Sequence, residues 1–168
     1  MMNYYLKTLT GQSVFRVNQE AWITAMTTEV TRDICVIAPT GTGKSLLFQI
    51  TGLVCGYLSF VVVPLKANIQ QQVEFLTVNG QNAIGCIEGT NFQTQLEMMD
   101  DVALRQLRFV FLTPESIINE GTKRYICNTF LSLPQCHTQH GTSSINAFAS
   151  ALSFIPASLI FPDSSNMP

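Results

Sequence analysis

The stretch Ile34-Cys35-Val36-Ile37-Ala38-Pro39-Thr40-Gly41-Thr42-Gly43-Lys44-Ser45 decides how the rest of the chain is read. The β-branched run from Ile34 to Ala38 reads as a buried strand, a glycine-bearing turn follows, and Lys44 opens a helical pattern that reaches Cys55. Strand, turn and helix in that order make a P-loop. Its glycines let successive backbone N–H groups point inward at a phosphate, and the helix N-terminus adds positive potential. In this reading Pro39, Thr40, Gly41, Thr42 and Gly43 form the cradle. Lys44 reaches the β- and γ-phosphates, and the Ser45 hydroxyl completes the shell of a magnesium ion. Ala38 stands where the first glycine of the pattern is usual.

Outward from the loop, short apolar runs alternate with helical spacing, as in βαβ units with a parallel sheet. Leu58 to Val63 is the next buried strand and Pro64 stops it. Ile69, Val73 and Leu76 carry helical spacing, Ala83 to Ile87 is a weak strand, Thr94 to Leu107 a helix, and Arg108 to Leu112 a strand. Thr113, Pro114 and Glu115 then supply a cap, a first-turn proline and a first-turn acid for another helix.

With nine basic and eleven acidic side chains among 168 residues, the formal net charge is −2, so no global field draws the chain to nucleic acid or to an anionic membrane. Nucleic-acid contact must be local. The uncharged run from Ser45 to Leu65 is long enough on paper to span a bilayer, but it divides into an amphipathic helix and a β-branched strand. The start of the chain has neither the apolar core nor the cleavage site of a secretion signal. The five cysteines read as reduced core residues. The expected location is nuclear or otherwise intracellular, not secreted.

From Leu131 to Pro168 the only Asp, Glu, Lys or Arg is Asp163. Such a stretch lacks the charged face that an amphipathic helix presents to water, so residues 1–130 are expected to form a partial nucleotide-binding domain and 131–168 an unrelated, poorly specified tail. Alternative splicing, a retained intron and a shifted reading frame would each produce such a tail.

Upstream of the loop, Leu6, Gly11, Phe15, Arg16 and Gln19 fit the spacing Leu-x-x-x-aromatic-Gly-x-x-x-Phe-Arg-x-x-Gln, with Thr10 in place of the aromatic. Together with the P-loop this resembles the RecQ-type DNA helicases of superfamily two. The resemblance implies an adenine-reading motif, since the Gln19 amide offers both a donor and an acceptor to the adenine edge. The alternative is that Phe15 and Trp22 are ordinary core aromatics and Gln19 a surface residue. The resemblance further implies ATP and Mg2+ as cofactors and an α/β fold: a P-loop NTPase with a RecA-like parallel sheet and flanking helices, here incomplete.

Pro64-Leu65-Lys66-Ala67-Asn68-Ile69-Gln70-Gln71-Gln72 is similar to the family's motif Ia, which implies contact of Pro64, Asn68 and Gln70 with the backbone of single-stranded DNA. A polar solvated helix face explains the same residues. Leu112-Thr113-Pro114-Glu115-Ser116 is similar to motif Ib, where Thr113 either contacts a phosphate or caps a helix. The family's Asp-Glu-x-His is not found in the 168 residues, nor is a second motor domain with its arginines. A chain of this kind is expected to be a truncated first motor domain that binds nucleotide without independent unwinding.

Cys127, Cys136, His137 and His140 lack the spacing of a zinc finger. A GTPase is disfavoured by the absence of any Asn-Lys pair, and a small P-loop kinase by the absence of a basic, Gly-rich lid. A non-catalytic interaction fragment with a relic P-loop is the remaining alternative.

Overall fold

The computed structural model describes residues 1–28, 34–56, 58–86, 106–119 and 121. In chain order these form α1 (Met2–Thr10), α2 (Gln19–Thr28), α3 (Lys44–Cys55), β1 (Ser59–Val62), α4 (Lys66–Val78), β2 (Asn82–Cys86), β3 (Leu107–Leu112) and α5 (Pro114–Ile118). The three strands make one parallel sheet in the order β1-β3-β2. A parallel sheet with flanking helices is the incomplete RecA-like α/β architecture expected from the sequence.

Strand β3 is central and reads as a near-continuous apolar run because both of its faces are buried: Leu107, Phe109, Val110, Phe111 and Leu112 are each 0% exposed. Cross-strand register places Ser59, Phe109 and Ala83 on one face, followed by Val61, Phe111 and Gly85. Helices α3 and α4 pack on that face. The Phe48 ring meets Phe111 edge-on at 6.1 Å, and Phe109 lies against Phe111 at 6.3 Å. Gly52 lets α3 approach this closely, since a Cβ there would stand 2.5 Å from Ser59 Oγ and 2.9 Å from the Phe109 ring. The core continues through Leu46, Leu47, Ile50 and Leu53 of α3 to Leu6 and Leu9 of α1 and Ile23 of α2.

Helix limits follow local chemistry. Helices α1 and α3 end at glycines in the left-handed region, Gly11 at φ 72 and Gly56 at φ 71. Helix α5 begins as its sequence dictates: Thr113 Oγ1 accepts from Ser116 N at 3.1 Å, with Pro114 in the first turn.

Two expectations need correction. Residues 34–38 are not a strand: Ile37 is 91% exposed, Cys35 is exposed, and of the run only Val36 packs against the core. Their composition favours extended structure, but a strand is stabilised by its neighbour's hydrogen bonds and side chains, and β1 and β2 both pair with β3 instead. The exposure of Cys35 likewise removes it from the core set. Cys55 and Cys86 do sit at half-buried and buried positions, where burial pushes both thiols up; for Cys86 a hydrogen bond with Ser116 acts weakly in the opposite direction.

The helix expected at 94–107 falls outside the described residues except at its end, where Leu107 opens β3. Ile87, the tail and the Cys127, Cys136, His137 and His140 group also lie outside them. Among the described residues no set of His, Cys, Asp and Glu could hold a metal ion, and no helix is long and apolar enough to cross a membrane.

A candidate nucleotide cleft between the P-loop, the upstream motif and α4

Gly41 and Gly43 give the loop its shape, with φ of 83 and 79, conformations that L side chains rarely adopt. Gly43 is doubly constrained, because a Cβ there would stand 2.6 Å from Gln19 Nε2. The loop delivers the chain into α3, whose N-cap is Gly43, and the first N–H groups of a helix are the ones left free of the helix's own ladder to meet an anion. Thr42 Oγ1 closes the turn by donating to Pro39 O at 2.8 Å.

The upstream motif is bonded directly to this loop. Asn18, at φ 68, turns the chain so that Gln19 starts α2 pointing at the loop. Gln19 is only 2% exposed; its Nε2 donates to Thr42 O at 2.9 Å and its Oε1 accepts from Arg16 N at 3.0 Å. Arg16 Nη1 donates to Gly41 O at 2.7 Å. Phe15 is half-buried against the core. An amide has two hydrogens and two oxygen lone pairs, so each end of Gln19 retains one position for a further partner. The surface reading of Gln19 does not describe this geometry, whereas Phe15 does pack as a core aromatic.

Lys44 Nζ donates to Ala38 O at 3.0 Å and to Pro39 O at 2.9 Å, so the ammonium lies over the loop that a phosphate would occupy. Around it opens a cleft of about 560 Å³, bordered by Thr10, Arg16, Gln19, Gly41, Lys44 and Ser45 and, from α4, by Gln71, Gln72 and Phe75. That volume falls within the range of small-molecule sites. The donor set suits a triphosphate with Mg2+: backbone N–H groups, one ammonium and one serine hydroxyl, with Thr40 exposed at the rim.

The segments that resemble motifs Ia and Ib begin at the carboxyl ends of β1 and β3, where Val63 N donates to Leu112 O at 2.9 Å. Ligands of open α/β sheets bind at this edge. Pro64, Asn68 and Gln70 are exposed there. Thr113 differs: it is 0% exposed, and its hydroxyl caps α5 and contacts Ser116 Oγ at 2.9 Å, which in turn donates to Cys86 O at 3.1 Å. Of its two readings, the geometry displays the helix cap.

Two further side chains line the cleft, Gln49 and Gln72, neither of which the sequence motifs assign to the nucleotide. Gln49, four residues after Ser45, shares its helix face and is 2% exposed. Gln72 on α4 meets both, accepting from Gln49 Nε2 at 2.7 Å and donating to Ser45 Oγ at 3.4 Å. The available signal was a glutamine on the buried stripe of an otherwise apolar helix.

Comparison with known proteins gives the family of the chain. The family model for DEAD/DEAH box helicases matches residues 16–133. The chain is 30% identical to ATP-dependent DNA helicase Q-like 4B of Arabidopsis thaliana over 118 residues, which covers 69% of this chain and 10% of that protein. It is 28% identical over 135 residues to ATP-dependent DNA helicase RecQ of Haemophilus influenzae, 79% of this chain and 22% of that one. With the mouse bifunctional 3'-5' exonuclease/ATP-dependent helicase WRN it shares 34% identity over 110 residues, 66% of this chain and 8% of the relative. The chain thus spans between a tenth and a quarter of the first two relatives' length and less than a tenth of the third's. By the match over most of its length, the chain belongs to the DEAD/DEAH box helicase family, with RecQ-type DNA helicases as its relatives and their first RecA-like domain as its counterpart.

Proposed function

We propose that the chain binds ATP with Mg2+ in the cleft between the P-loop, the upstream motif and α4, and contacts the backbone of single-stranded DNA weakly at the start of α4. The observation that carries this reading is the bonding of Arg16 and Gln19 to the carbonyls of Gly41 and Thr42. It joins the residues that suit an adenine edge to those that suit its phosphates. Phosphate oxygens would accept from the loop N–H groups and from Lys44, which exchanges its two carbonyl contacts for a charged partner. Ser45 Oγ would hold Mg2+, whose charge offsets that of the β- and γ-phosphates. Asn68, Gln70 and the turn at Pro64 would bond DNA phosphates without reading sequence.

Base choice tests the upstream half of the cleft. GTP is expected to displace a fluorescent ATP analogue less effectively than ATP, and Gln19→Ala to narrow that difference. Equal competition by GTP in the wild-type chain would refute an adenine role for Gln19.

A second reading, nucleotide binding without turnover, is favoured by residues 34–38, which form no strand and expose Ile37, so that no strand of the described sheet leads into the loop. The same outcome follows from chemistry. Phosphoryl transfer depends on placed water, metal and charge clamps, and loss of one electrostatic group commonly costs about a hundredfold or more in rate. The 168 residues contain no Asp-Glu-x-His, and Glu115, an acid near a strand end, begins α5. A polypeptide of these residues is therefore expected to release phosphate at background rate with or without single-stranded DNA. Stimulated turnover that disappears in Lys44→Ala would overturn this expectation.

A further inference from the structure

Ser45, Gln49 and Gln72 form a line of side chains between α3 and α4 that the phosphate cradle does not require. A serine hydroxyl rotates among three staggered positions and has one hydrogen and two lone pairs. Gln72 Nε2, 3.4 Å from Ser45 Oγ, occupies one lone-pair direction and favours the rotamer that leaves the other directed elsewhere. The amide of Gln72 is itself oriented: Gln49 Nε2 donates to its Oε1 at 2.7 Å, and the 2% exposure of Gln49 leaves that donor no solvent alternative. The same α4 turn borders the cleft beside Lys44 and Ser45.

We propose that Gln72 is a positioning residue for the magnesium-holding hydroxyl of Ser45, with Gln49 fixing which end of the Gln72 amide faces it. The inference rests on the reading of the cleft as an Mg2+-ATP site. Gln72 touches neither nucleotide nor metal in this scheme. It restricts Ser45 before the cation arrives, so its loss weakens the Mg2+-dependent part of nucleotide binding and leaves the metal-free part alone.

The test is a magnesium titration of fluorescent ATP analogue binding to the full chain, with the same affinity measured in EDTA. Gln72→Leu is expected to raise the Mg2+ concentration for half-saturation by roughly three- to tenfold, the effect of one weak polar contact, with affinity in EDTA unchanged. Gln72→Asn, whose amide is one methylene too short to reach Ser45, should shift the curve likewise without adding apolar surface. In a Ser45→Ala background Gln72→Leu should add nothing. An unchanged magnesium curve in both Gln72 variants, an equal loss in EDTA, or a shift that persists in Ser45→Ala would overturn the proposal while leaving the cleft assignment intact. A wild-type chain that binds no nucleotide would overturn the cleft assignment and this proposal together.

Discussion

Replacing Lys44 with alanine is expected to remove measurable binding of ATP while leaving the fold in place. Lys44 is exposed, and among the described residues its ammonium donates to the carbonyls of Ala38 and Pro39 in its own loop, so its loss costs the folded state little. For the triphosphate the loss is large, because no other lysine or arginine side chain of the P-loop can replace the charge. Arg16, the other cation among the described residues that borders the cleft, has its Nη1 directed to Gly41 O. Truncating one partner of a close charged pair costs about 2 kcal/mol or more, roughly a thirtyfold or greater weakening. Calorimetry with Mg2+-ATP on both forms, alongside matched thermal melts, is the measurement. Equal affinity in the two forms would remove the phosphate assignment.

The second large effect is on stability. Phe109→Ala is expected to cost about 3–5 kcal/mol, against a total of about 5–15 kcal/mol for an ordinary domain. Phe109 is 0% exposed in the central strand, lies against Phe111 and fills the space that Gly52 opens beneath α3. Its removal leaves a cavity between the sheet and the helix that carries Lys44 and Ser45, so nucleotide binding should fall along with the urea midpoint. Val62→Ala, at a half-exposed position on an edge strand, is the control and should cost far less. Similar midpoints for the two variants would show that α3 is not seated on Phe109.

Elements whose burial is decided locally were legible in the sequence. The helix from Lys44 to Cys55 has matching limits because glycines flank it, and α5 starts at Thr113 because threonine, proline and glutamate agree on a helix start. Residues 34–38 misled because β-branched composition reports a preference for extended backbone and says nothing of whether a neighbouring strand accepts the run. The loop and Gln19 could be singled out by spacing, yet their mutual bonding could not, since Gln19 reaches Thr42 across 23 positions. Gln72 was hidden for a related reason. A glutamine within a run of three reads as a solvated surface until the helix is docked and one of the three turns inward.

The strand order β1-β3-β2 constrains how the chain acquires its structure as it leaves the ribosome. Ser59 pairs with Phe109, fifty positions later by subtraction, and Asn82 with Leu107, twenty-five later, while β1 and β2 share no ladder. No two of these strands can therefore pair until Leu107–Leu112 has been synthesised. At about 5–20 residues per second the apolar β1 and β2 wait for seconds without a partner. Helices α1, α2 and α3, which all precede β1 in the chain, can form a first cluster around Leu6, Ile23 and Ile50 during that interval. Strand β3 then acts as the late keystone of biosynthesis, and a slow synonymous codon just before Leu107 should lengthen the period in which a chaperone can capture the nascent chain.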